Sequence, residues 1–99
     1  MPREPDLRFG PFRLELAREG LWRGAEALRL RPKTFAALRY LLEHPGRLLS
    51  KEELLQAVWP EVAVGEAVLS VTLAELRKAL GDDPRAPQFI ETVHRRGYR

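Results

Sequence analysis

Arg95, Arg96 and Arg99 place three guanidinium groups in the last five residues of the 99-residue chain, with no acid among them. Guanidinium forks pair with carboxylates and phosphates, and like charges this close repel one another unless an anion relieves them. Anion binding is therefore the chemistry the terminus points to. The other reactive candidates are weak. The two histidines, His44 and His94, stand far apart in turn contexts, with no third group at triad or metal-site spacing. Glu52 and Glu53 are adjacent, but successive helical residues diverge by about 100°. Cysteine is absent, which removes thiolate zinc sites, disulfides and cysteine nucleophiles. No glycine-rich phosphate loop occurs. The sequence predicts no enzyme activity, no catalytic residues, no metal site and no cofactor.

Something must hold those arginines in place, and 99 residues suffice for one domain with a single core. Hydrophobic content of 44% with 31% charged residues is that of a globular chain rather than a disordered tail. A net charge of +3 tilts the chain mildly toward anionic partners, so the placement of the cations matters more than their sum. No apolar run is long enough to span a membrane, and residues 1–6 lack a signal peptide's apolar segment. With no cysteine, this fits a cytoplasmic protein that makes no membrane contact through this domain.

The first third has the period of strands. Phe12, Leu14 and Leu16 alternate with Arg13, Glu15 and Ala17; Leu21 and Trp22 lead to a turn near Gly24, and Leu28 and Leu30 alternate with arginines. "LRF" at 7–9 is a candidate extra strand. From Pro32 the period becomes helical, with Phe35, Leu38, Leu41 and Leu42 on one face. "HPG" at 44–46 ends that helix, and 47–49 is an extended link. Ser50 and Glu53 form the two halves of a capping box for a second helix, which Pro60 stops. Residues 60–65 connect to a third helix at about 66–80, ended by Gly81. "DDPRAP" is a loop, "QFIETV" a strand, and residues 94–97 a turn into a strand beginning at Tyr98. Segregated strands and helices of this kind predict an α+β domain.

On a helical wheel, Leu69, Leu73, Leu76 and Leu80 share a narrow arc, the buried stripe of the third helix. The opposite face carries Ala67, Val71, Ala74 and Lys78, flanked by Ser70, Glu75 and Arg77. Small side chains let a helix sink into the major groove, where Val71 and Thr72 can touch thymine methyls and Ser70 a base edge. Taken alone, the helix fits equally well with this face packed against the N-terminal sheet. The segment that follows favours DNA: two helices and then a basic hairpin make a helix-turn-helix with a wing, whose arginines suit a narrow minor groove.

At this point the sequence closely resembles the OmpR/PhoB-type winged-helix domain of bacterial transcription regulators. The resemblance rests on "LSKEELLQAVW", "LRKALGD" and "ETV…RGYR" together, and extends over nearly the whole chain. It implies a winged helix-turn-helix: an N-terminal antiparallel four-stranded sheet, three helices and a C-terminal β-hairpin wing. It also implies sequence-specific binding of double-stranded DNA, with helix 66–80 in the major groove and hairpin 89–99 at the minor groove. Carried over by position, Ala67, Ser70, Val71, Thr72 and Glu75 face the bases and Arg77 and Lys78 meet phosphates. His94, Arg95, Arg96 and Arg99 form the wing, and Glu61 lies in the loop that contacts RNA polymerase. A second copy on a tandem half-site is a further implied partner. Relatives often have arginine or histidine where this chain has Ala67, Thr72 and Glu75, and glycine where it has Arg95. Residues 1–99 read as one winged-helix domain, the N-terminal fragment of a longer regulator, one- or two-component, with a phosphorelay left open. The alternative is a winged helix that binds protein and has little DNA affinity, which Ala67, Ala74 and Glu75 favour.

Overall fold

The computed structural model describes residues 6–83, 85–93 and 96–99. Leucines at positions 7, 14, 21 and 28 become one row across a sheet. Strands β1 (Leu7–Phe9), β2 (Phe12–Glu15), β3 (Gly20–Arg23) and β4 (Glu26–Leu28) pair antiparallel in sequential order, so that Leu7 faces Leu14, Leu14 faces Leu21, and Leu21 faces Leu28. Strand alternation turns this row to the core, where Leu14 and Leu21 are fully buried. The intervening residues face away. Among them Arg13 lies 5.5 Å from the centre of the Trp22 ring and pairs with Asp6 at 2.9 Å.

Helix α1 (Pro32–Glu43) begins on its proline and buries Thr34, Phe35, Ala37 and Leu38. Helix α2 (Lys51–Val58) is capped by Ser50, whose hydroxyl accepts from the Glu53 amide at 3.0 Å. The reciprocal half of the expected capping box does not form. The Glu53 carboxylate is drawn toward α1 instead, accepting from the Tyr40 hydroxyl at 2.6 Å and from Arg47 at 2.8 Å. Helix α3 (Glu66–Leu80) buries the predicted stripe, Leu69, Leu73, Leu76 and Leu80, each no more than 3% exposed. These leucines join Leu14, Leu21, Leu38 and Leu54 in one core. Each contributes about 1.5–3 kcal/mol by leaving water.

The chain leaves α3 through Gly81 at φ +69°, with its amide bonding back to Lys78 and the Asp82 amide to Arg77. Asp82 is 8% exposed, and its carboxylate accepts from the amides of Gln88, Phe89 and Ile90 at 2.8–3.3 Å. Those amides are therefore withheld from a ladder, and the expected strand "QFIETV" shortens to β6 (Thr92–Val93). The extended link before α2 is in fact strand β5 (Leu49–Ser50), which pairs with β7 (Gly97–Tyr98) in a second sheet of order β5-β7-β6. Gly97 sits at φ +151°, and a Cβ there would overlap the Leu49 carbonyl.

Gly97→Ala is expected to cost about 2–4 kcal/mol by forcing β5 and β7 apart; an unchanged urea midpoint would contradict the close approach. Burial pushes the Asp82 carboxyl up, but the three amides and Arg77 outweigh it and hold it below its ordinary value of 3.8. With a depressed folded value, the contribution is intact above that ordinary value and is lost as the pH falls from there through the folded one. Asp82→Asn should cost about 2–3 kcal/mol near neutral pH and flatten this acid limb, as read by urea titrations across pH.

Candidate nucleic-acid interface

The outward face of α3 is small, apolar and open. Ala67, Val68, Ser70, Val71, Ala74 and Lys78 are exposed, with Val71 at 60% and Val68 at 40%. Beside it runs a shallow groove of about 680 Å³, walled on the far side by Arg31–Thr34 at the start of α1 and lined in part by Trp59. Neither Val71 nor Lys78 packs beneath the N-terminal sheet, because the leucine stripe already turns the other side of the helix to the core. That removes the alternative left open by the sequence, in which this face was covered.

Thr72 departs from its expected base-facing position. It is 7% exposed, and its hydroxyl donates to the Val68 carbonyl one turn back at 2.9 Å. The wheel carried a warning, since Thr72 lies within about 70° of the centre of the leucine stripe. Glu75 is half-buried and turned toward α1, where Thr34 donates to it at 3.3 Å and Arg31 pairs with it at 3.6 Å.

Arg77 was expected at phosphates, but the structure turns it inward. Its Nη2 donates to the Ile90 carbonyl at 3.1 Å and the Thr92 hydroxyl at 2.5 Å, and the guanidinium carbon lies 6.0 Å from the Tyr98 ring centre. Its Nε is buried without a partner. Arg77 is thus a strut between α3 and the hairpin. Lys78 remains exposed, one position along and about 100° round the helix.

At the hairpin, Arg96 is exposed and its amide donates to the Val93 carbonyl at 3.0 Å. Arg99 pairs with Glu91 at 2.9 Å, and two backbone hydrogen bonds between these residues extend the β6–β7 ladder. His94 and Arg95 lie outside the described residues. In the loop at 60–65, Glu61 accepts from Lys33 at 2.6 Å, which with a backbone contact keeps its carboxyl below the usual range. Lys33 also donates to the Val58 carbonyl, so it ties this loop to the end of α2.

Sequence reasoning missed Arg31, whose side chain is 80% exposed on the groove's far wall. The alternation of leucines and arginines puts it in a strand, whereas it stands at the N-cap of α1. Val68 was also missed, because it sits at the border between the two faces of the wheel.

The family described as "Transcriptional regulatory protein, C terminal" matches residues 24–99. Among curated proteins, the transcriptional activator CadC of Escherichia coli K12 is 33% identical over 97 residues, which are 97% of this chain and 19% of CadC. The phosphate regulon regulatory protein PhoB of Rhizobium meliloti is 36% identical over 93 residues, 93% of this chain and 40% of PhoB. The chain thus spans between about a fifth and two fifths of these relatives. Among solved structures, the Klebsiella pneumoniae RstA DNA-binding domain, determined in complex with the RstA box, superposes with a TM-score of 0.85 at 26% identity. That match covers 96% of this chain and 95% of the RstA domain. Four strands, three helices and a closing hairpin, shared across matches of this extent, place the chain in the OmpR/PhoB-type winged-helix family of bacterial transcriptional regulatory proteins.

Proposed function

We propose that this chain binds double-stranded DNA with sequence preference in transcription regulation, α3 entering the major groove and the hairpin at 89–99 meeting the minor groove. The observation that carries the reading is the exposed face of α3. Its side chains are small enough for the helix to sink between phosphate ridges, and Lys78 stands at its end. The structure of RstA with its box lends the reading a precedent in a relative of the same fold. Ala67, Ser70 and Val71 are the base-facing residues in this reading, and Thr72, Glu75 and Arg77 support them from behind. Lys78, Arg96, Arg99 and Arg31 are the phosphate set. Arg99 leaves Glu91 at little cost, because both side chains are about half exposed and such pairs contribute little. Residues 60–65, with Glu61 held by Lys33, are the surface assigned to RNA polymerase, and a second copy on a tandem half-site remains a partner. The 99 residues act here as the DNA-binding part of a longer regulator, in keeping with the length of the relatives.

Four phosphate contacts predict that binding to random duplex weakens with salt at a log–log slope of about −3 to −4. Titration of a labelled duplex across salt measures this, and no binding at about 50 mM salt would return the face to a protein partner. Arg96→Ala and Lys78→Ala should each weaken all duplexes alike and lower the slope by about 1, whereas Val71→Ala should chiefly alter which sequences are preferred. The same change in preference from all three substitutions would defeat this division of roles.

A further inference from the structure

The polar groups that usually read bases from a recognition helix are engaged within this protein. The Thr72 hydroxyl is held by the Val68 carbonyl, the Glu75 carboxylate by Thr34 and Arg31, and the Arg77 guanidinium by Ile90 and Thr92. The commonest specific contact, a bidentate arginine on guanine, therefore has no donor on the exposed face of α3. Lys78 lies about 10 Å along the axis from Val71, at the end where a helix leaves the groove toward the backbone. What the face does offer is methyl groups, on Ala67, Val68, Val71 and Ala74, with Ser70 as its one exposed hydroxyl. Val68 and Val71 count among the exposed large hydrophobic residues, and both border the groove beside α1.

We infer that α3 selects its site through thymine C5-methyl groups, packed against Val71 and Val68, rather than through hydrogen bonds to guanine or adenine. This rests on the reading that α3 enters the major groove. The ligand class it names is a duplex with thymines in the helix footprint. The C5-methyl is the one apolar group that a base pair presents in the major groove, and it distinguishes A·T from T·A by its position. An apolar face gains by covering it and would leave the polar edge of a G·C pair without partners.

Deoxyuridine in place of thymidine tests this cleanly, since it removes the methyl and leaves the base pair, the minor-groove acceptors and every phosphate in place. The preferred duplex is first selected from a random pool with the 99-residue chain, then resynthesised with deoxyuridine at each thymine in turn. At one or more positions the loss should be about fourfold per methyl, the worth of burying one such group. The loss should shrink in Val71→Ala or in Val68→Ala, whose side chains lie outside the core and can be truncated without opening a cavity. Unchanged affinity at every substituted position overturns the inference while the DNA-binding reading stands, and so does a loss of the same size in both variants. Failure of the pool to yield any bound duplex overturns the DNA-binding reading itself.

Discussion

The placement of the hairpin depends on how the chain leaves α3. Asp82 turns its carboxylate onto the amides of residues 88–90, while Arg77, one turn earlier, reaches the Ile90 carbonyl and Thr92. One acid and one base from the same helix end thus grip the same short stretch, the acid on its amides and the base on its carbonyl and hydroxyl. Each is half of a buried polar arrangement that is costly to leave incomplete. Because the grip precedes the hairpin in sequence, β6 starts from a point fixed relative to α3. The β5–β7 pairing then fixes the other side of the hairpin near the start of α2.

That arrangement explains why a basic helix end supplies so little free charge. A guanidinium used as a strut cannot also search for a phosphate, and Glu75 is likewise committed to α1. The outer face is left with short side chains, and its cations stand at the margins, in Lys78, Arg31, Arg96 and Arg99. Rigidity and display are thereby divided between neighbours on one helix. Residues 75 and 77 hold α3 to the rest of the fold, residue 72 turns onto the helix's own backbone, and residues 67, 70, 71 and 78 face outward.

Much of this was legible in the residues themselves. The leucine stripe of α3, the proline start of α1, the Ser50 cap and the N-terminal strands follow from local periods and caps that tertiary packing left intact. Several of the departures come from a side chain whose partner lies outside its own element. Glu53 turned to Tyr40, Glu75 to Thr34, Arg77 to Ile90, and Asp82 took the amides that "QFIETV" needed as a strand. β5 escaped notice for the same reason, since two residues become a strand only through a partner near the other end of the chain. The exposure of Val71 and Lys78 followed from the wheel, but that of Arg31 did not.

The two tryptophans occupy opposite surroundings, and this equips the chain with its own optical gauge. Trp59 is 8% exposed and lines the groove alongside α3, whereas Trp22 lies half-buried on the outer side of the N-terminal sheet, against Arg13. An indole in an apolar wall emits at shorter wavelength than one facing water. Occupancy of the groove would therefore register in the blue part of the emission, and events at the sheet in the red, with no label attached.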